Sequence, residues 1–283
     1  MADRADPTAL RWLIGVELHN YRRHAGQTLA AAGKALGVSP GMVGHFEKGL
    51  YFPQPEQIAG LLSFYGAPAW DVERLSSVSG RAEQRTWLAP WNDIIPDWTK
   101  TFVGLEGLAS HEVTYTPLAL HALLQTREYS IAGTAGSARV RPDQVERLVS
   151  LRIERQRRLS SDTDPLRLTT LVEESVLDRP IGGAETLRAQ LEHLVELSKL
   201  NSIELLVLPT AIGRHDSLEG GFAVLHFTQA QSIGYIEYPD GAVYVQDQDQ
   251  VAAYTRTAES LRSAALPQSE SREAIEARLE RLI

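Results

Sequence analysis

The run Ser39-Pro-Gly-Met-Val-Gly-His-Phe-Glu-Lys48 puts a hydroxyl, an imidazole and an ammonium on one short segment. Ser39, His45 and Lys48 can donate to phosphate oxygens and to base edges. Gly41 and Gly44 would let the backbone come close to a nucleic-acid surface. Met42, Gly44, His45 and Lys48 are expected to face outward, with Val43 and Phe46 inward. Thr28 heads the preceding helix, whose free N–H groups attract anions. Arg22 adds a guanidinium from the helix before that. The chemistry implied is contact with double-stranded DNA. The competing reading is a helical unit used only for packing or dimerisation.

A second group lies further along. Arg152, Arg155 and Arg158 recur every third residue, with Arg147 and Arg157 nearby. They could hold an anion or an acidic ligand. The simpler reading is a solvated helix face paired with Glu146 and Glu154. Tyr115, Gln125, Tyr129, Glu173, Phe222 and Tyr235 could line a pocket with apolar walls and a few polar anchors. Ordinary core and strand packing would account for each of them singly.

Catalytic and metal chemistry are not indicated. Gly213-Arg-His-Asp-Ser217 is contiguous, so its side chains are not expected to converge as a triad, and it reads as a surface turn. The eight histidines show no His-x₃-His or HExxH spacing. Asp247-Gln-Asp-Gln250 lacks the glycine and glutamate of a calcium loop and reads as a helix start. There is no glycine-rich phosphate loop and no indication of a cofactor.

The elements that must position these residues follow from periodicity and punctuation. Leu10, Leu13, Ile14, Val16 and Leu18 predict a helix running to about His24. Thr28 caps a second helix over residues 29–36, and Gly37 supplies the left-handed turn. Ser39 caps a third, with Pro40 at its first position. A fourth is predicted over 57–65 and an extension over 67–87, with a boundary near 80–95. This is a helix-turn-helix layout. From Trp98 the pattern becomes mixed. Helices are predicted at 98–110, 118–124, 129–133, 142–159, 184–200, 247–265 and 270–283. Strands are predicted at 112–116, 167–172, 204–208, 222–227, 233–238 and 242–245, with a Pro239-Asp240-Gly241 turn between the last two.

Composition bounds the reading. With 283 residues, 43% hydrophobic and 23% charged, the chain is of ordinary globular type and long enough for two domains. The absence of cysteine excludes disulfides and fits a reducing cytoplasm. The start, MADRADPTAL, has no apolar core and predicts no signal peptide, and no apolar run suits a membrane span. The net charge is −8, yet residues 8–66 carry Arg11, Arg22, Arg23, Lys34 and Lys48 against Glu17, Glu47 and Glu56. A phosphate-contacting surface is therefore expected in the N-terminal part.

Glu47-Lys48-Gly49 followed by Pro53 resembles the close of the recognition helix in Xre or lambda-repressor-like domains. Further segments are Leu123-Leu-Gln-Thr-Arg-Glu-Tyr129, Arg152-Ile-Glu-Arg-Gln156, Gln190-Leu-Glu-His-Leu194, Val207-Leu-Pro209, Gly220-Gly-Phe222 and Ser269-Glu-Ser271. Their order and spacing resemble the WhiJ-like regulators of actinobacteria from about residue 10 onward. The chain departs from that pattern at Leu29, where a glutamine is common, at Pro40, Gly41, Met42 and Gly44, where polar residues are common, and at His121-Ala122, where Pro-Gly is common. The resemblance implies a transcriptional regulator with an antitoxin-like C-terminal domain that receives a signal from a small molecule or a small partner protein.

The expected architecture is a mainly α, lambda-repressor-like helix-turn-helix domain over residues 8–85. An α+β domain with a largely antiparallel sheet is expected over 95–283, for effector binding and dimerisation. The expected function is sequence-specific DNA binding by a cytoplasmic homodimer. The alternative is a small-molecule-binding protein or enzyme on a regulator-derived fold with vestigial DNA binding.

Overall fold

The computed structural model describes residues 6–79 and 86–282. Five helices come first: α1 (Pro7–His24), α2 (Leu29–Leu36), α3 (Pro40–Glu47), α4 (Pro55–Phe64) and α5 (Ala69–Ser79). Each starts where the sequence provides a stop or a cap. Asp6 caps α1, accepting from Thr8 and Ala9 N–H at 2.9 and 3.1 Å. Gly37 ends α2 at φ 73°, which a residue with a Cβ rarely adopts. The predicted extension over 67–87 is helical through Ser79; residues 80–85 lie outside the described ones, and Thr86–Trp87 are not helical.

The second part runs α6 (Asp97–Leu108), β1 (His111–Thr116), α7 (Arg127–Ala135), α8 (Val145–Gln156), β2 (Arg167–Glu173), α9 (Ala184–Leu197) and β3 (Ile203–Leu208). It continues with β4 (Phe222–His226), β5 (Ile233–Tyr238), β6 (Gly241–Val245), α10 (Gln248–Ala264) and α11 (Gln268–Arg281). The sheet order is β3-β2-β1-β4-β5-β6. β1/β4, β4/β5 and β5/β6 are antiparallel; β1/β2 and β2/β3 are parallel. The sheet is thus mixed and mostly antiparallel, and the parallel half requires the helical crossovers α7–α8 and α9.

Strand side chains alternate between two cores, as the two-residue period demands. Ile203, Leu205 and Val207 of β3, with Ala223 and Leu225 of β4, pack under α6, α8, α9 and α11. Leu206 and Leu208, with Phe222 and Val224, pack on the opposite face under Val251, Ala258 and Leu261 of α10.

α1 serves two cores. Leu10, Ile14 and Leu18 face the helix-turn-helix core, while Ala9, Leu13 and Val16 face the core of the α+β part. The helical period separates these two sets onto different faces. α1 and α6 approach so closely that a Cβ on Gly104 would lie 2.6 Å from Ala9 Cβ. α1 thus contributes side chains to a core on either side of the predicted boundary.

Residues 118–124 are predicted helical but form only a short 3-10 turn at Ala122–Leu124. Glutamine side chains take up carbonyls along this segment and hold it in its non-helical course. Gln125 Nε2 donates to Leu120 O (2.7 Å), Gln156 Nε2 to Ala122 O (2.9 Å) and Gln125 O (2.8 Å), and Gln190 Nε2 to Leu124 O (2.8 Å). These glutamines come from three of the segments that carry the resemblance.

Candidate functional site

Two regions can meet a ligand. The first is the outer face of α3. Thr28 Oγ1 accepts from Ala31 N–H and Ser39 Oγ from Met42 N–H, both at 3.1 Å, so the two hydroxyls cap α2 and α3 while keeping their own protons to donate. A Cβ on Gly33 would fall 2.8 Å from Val38 O, so the α2–α3 turn closes only around a glycine. Val43 and Phe46 are buried beneath. Thr28, Ser39, Pro40, Gly41, His45 and Lys48 are exposed, and Met42 and Gly44 are half-buried. Packing does not demand glycine at 41 or 44: a Cβ there would meet only Ser39 Oγ at 3.8 Å or Leu29 Cδ1 at 3.7 Å.

Arg22 is placed differently from the expectation of a free phosphate contact. Its guanidinium grips Glu47 with Nε–Oε1 2.5 Å and Nη2–Oε2 2.8 Å, and Nη1 reaches Gln27 O at 2.9 Å. His19 Nδ1 lies 2.9 Å from the same carboxylate. The bidentate pair fastens α1 to the end of α3. Exposed basic groups nearby are Arg23, Lys34 and Lys48. Leu50 (58%) and Tyr51 (55%) are also exposed directly after α3, and Tyr51 packs edge-on to His45 at 5.2 Å between ring centroids. Sequence reasoning missed this pair; its signal is two large apolar residues beside Lys48-Gly49.

The second region is a cavity of about 1070 Å³ between the sheet, α6 and α8. Of the predicted ligand residues, Tyr115, Gln125, Arg152, Arg155, Phe222 and Tyr235 line it; Tyr129 and Glu173 do not. Tyr129 is buried in the larger core. Glu173 accepts from Tyr115 Oη at 2.8 Å and lies 3.1 Å from His215 Nε2. Burial, then Glu173, raises the Tyr115 phenol above its ordinary range. Phe102 and Tyr235 stack at 4.2 Å on one wall. The buried atoms Thr116 Oγ1, Thr134 Oγ1 and His121 Nδ1 have no hydrogen-bond partner among the described residues.

Arg152, Arg155 and Arg158 do not form the solvated face that the spacing suggested. Arg155 is buried and grips Glu106, with Nε–Oε1 3.0 Å and Nη2–Oε2 2.5 Å. Arg158 is buried too, donating to Glu106 O at 2.6 Å. Glu154 pairs with Arg157 and Glu146 with Arg127. Arg152 Nη1 donates to Gln125 Oε1 at 2.8 Å, and no carboxylate lies within ion-pair distance of it among the described residues. Burial, then the neighbouring Arg155 charge, lowers its guanidinium to about 10.

His215-Asp216-Ser217 does not converge. Ser217 N–H, not its hydroxyl, donates to His215 Nδ1 (3.3 Å), and Ser217 Oγ donates to Gly220 O (2.9 Å). Asp216 accepts from Ser260. The turn is not wholly superficial as expected: His215 is buried against Tyr115. Among the described residues no three His, Asp or Glu side chains are grouped to hold a metal. No described helix is long and apolar enough to cross a membrane.

The two regions are joined by a polar and aromatic seam. Glu17, fully buried, accepts from Gln231 N–H at 2.6 Å, and Asn20 Nδ2 donates to Gln231 Oε1 (3.1 Å) and Gln246 O (3.2 Å). Arg74 of α5 donates to Gln229 O and to Asp71, which also accepts from Tyr21. Trp12 of α1 packs on Tyr244 (5.0 Å), Tyr244 on Tyr235 (5.2 Å), and Tyr235 on Phe102. The ring series thus runs from α1 to the cavity wall.

A helix-turn-helix domain family matches residues 13–75. A second match, to a domain of unknown function (DUF5753), covers residues 99–277. The chain belongs to the DUF5753 family. No curated protein and no solved structure matches it. The helix-turn-helix match supports a DNA-binding regulator. Most of the cavity wall lies within the DUF5753 region, whereas α1, which carries the seam, lies wholly outside it.

Proposed function

We propose that this chain is a sequence-specific transcriptional regulator of the WhiJ-like kind, in which α3 docks in the major groove and the DUF5753 domain senses a small effector. The observation that carries the reading is the outer face of α3. Packing does not require the glycines that leave it bare at Gly41 and Gly44, and it is flanked by the capped hydroxyls of Thr28 and Ser39 and by the exposed His45 and Lys48. With so few long side chains, the helix backbone and its N-terminal N–H groups would approach the phosphates directly, and sequence would be read partly through DNA shape. As a homodimer the protein would meet two half-sites about 34–36 Å apart or a multiple of it.

The cavity would receive the effector. Phe102 stands on α6, which crosses α1 at Gly104, and Tyr235 stands on β5, whose preceding loop docks on Glu17 and Asn20. An effector that binds one arrangement of these walls more tightly would bias the angle of the DNA-reading head. The coupling is a contact series until mutations along it are shown to change the linkage between the two sites.

Fluorescence anisotropy with the protein's own upstream DNA, at two salt concentrations and with unrelated competitor, tests the reading. Competitor-resistant binding is the expected result. Absence of binding at both salts would refute it and leave a ligand-binding protein on a regulator-derived fold.

A further inference from the structure

The cavity wall carries five acidic or basic side chains besides His121, and their pairing is uneven. Arg155 is matched by Glu106 behind the wall. Arg139 and Asp240, at the mouth, pair with one another at 3.3 Å. His121 Nε2 lies 3.3 Å from the buried Glu112. Arg152 and Glu237 remain, and neither lies within ion-pair distance of an opposite charge among the described residues.

These two are not interchangeable with loose surface charges. Arg152 is held in one position, because its partner Gln125 is itself fixed by Ser130 Oγ (3.0 Å) and Leu120 O (2.7 Å). Glu237 stands on β5 two residues after Tyr235, so both lie on the cavity side of the strand, with the carboxylate toward the rim. Arg152 is half-buried and burial lowers its guanidinium; Glu237 is exposed at the rim, its carboxyl raised by desolvation and held back by the Arg155 and Arg152 charges and by Tyr235. An uncompensated charge at the half-buried Arg152 is costly, and a bound counter-charge removes the cost, while Glu237 offers a carboxylate at the open rim. Two opposite charges, both unpaired and lining one cavity, call for a ligand that carries both complements. Between them lie apolar and aromatic groups, Phe102, Tyr115, Leu120, Leu151 and Tyr235.

We propose that the cavity binds a zwitterion: a small molecule with an apolar or aromatic body, an anionic group against Arg152 inside and a cationic group against Glu237 at the rim. Its regulatory meaning rests on the effector reading above; the binding itself does not.

The probes are the free amino acids and a set of short dipeptides, which vary the separation between ammonium and carboxylate. Thermal shift and calorimetry on the full chain should find at least one that binds. Its N-acetyl and methyl-ester forms should each bind at least about tenfold more weakly. Arg152→Gln should erase the penalty for the ester and leave that for the N-acetyl form. Glu237→Gln should do the reverse. The unliganded melting temperature of each variant shows that it is folded. No binding by any probe would overturn the proposal, and so would capped forms that bind as tightly as their parents. Anisotropy with DNA on the same samples keeps the two readings apart. DNA binding without zwitterion binding sinks only this inference, whereas zwitterion binding without DNA binding sinks the regulator reading and leaves the cavity assignment standing.

Discussion

The helix-turn-helix head and the cavity treat charge in opposite ways. In the head, the buried ionic groups are matched: Arg22 grips Glu47, and Arg74 joins Asp71 beside Glu17. The face left outside is nearly bare of long side chains. In the cavity, the half-buried Arg152 and the exposed Glu237 at the rim have no ion-pair partner among the described residues. The matched charges hold α1, α3 and α5 in one arrangement and leave the backbone of α3 to meet a partner. The unmatched charges contribute little to folding and are available to a ligand. Charge is structural in the first region and addressed outward in the second.

The largest effect should come from breaking a matched pair. Arg22→Ala strands Glu47 in the interior and should cost about 3–5 kcal/mol in urea unfolding. Arg152→Gln should cost less than about 0.5 kcal/mol, since it removes an unpaired charge. Equal costs would erase the contrast. Next comes the crossing that links the regions. Gly104→Leu forces atoms against Ala9 and Asp6 and should destabilise by about 1–3 kcal/mol, with faster hydrogen exchange along α1. If α1 exchange is unchanged, the helix is not a shared element.

The glycine face offers a sharper test. Gly44→Ala should stabilise the protein by up to about 1 kcal/mol, because the new Cβ meets only ordinary contact with Leu29. It should also weaken DNA binding by obstructing close approach. A variant that gains stability and keeps full affinity would place the contact face elsewhere. Lys48→Ala should lower affinity alike for all sequences and reduce the salt slope by about 1.

The smallest effect is pH-dependent and involves neither the α3 face nor a residue lining the cavity. His111 and His226 stack at 5.4 Å on neighbouring strands. Burial, then the His226 charge, lowers His111 to about 4, and burial also lowers His226. Both rings are held neutral, so the stability they contribute is complete above the ordinary value of 6.5 and is lost as pH falls toward 4. Melting temperature should decline over that window, and less steeply in His111→Gln. Parallel profiles would remove the pair from the account.

Much of the molecule was legible in local pattern. Ser39-Pro40 and Thr28 announced their caps, Gly37 its turn, and the apolar runs near residues 204–208 and 222–227 their strands, because hydrogen bonds within a few residues and the burial of short apolar segments decide those features. The failure at residues 118–124 is instructive. Local propensity favours a helix there, but Gln156 and Gln190, far along the chain, bind the carbonyls of Ala122 and Leu124 and fasten the segment to α8 and α9 in another course. The same limit applies to the arginines. Spacing put Arg152, Arg155 and Arg158 near one another, yet only the packed fold brought Glu106 to Arg155 and none to Arg152.

The amino-acid sequence by itself determined the head's helices, the mixed α and β character of the rest, and the residue types on the exposed face of α3. It also held, in Leu10, Ile14 and Leu18 beside Ala9, Leu13 and Val16, two apolar stripes on one helix. Tertiary structure alone decided that the second stripe meets the α+β core, that Arg22 is enclosed, and that Arg152 and Glu237 line one cavity with no ion-pair partner among the described residues. Those outcomes depend on contacts between segments up to two hundred or so residues apart, where burial and the pairing of charge, not local propensity, set the free energy.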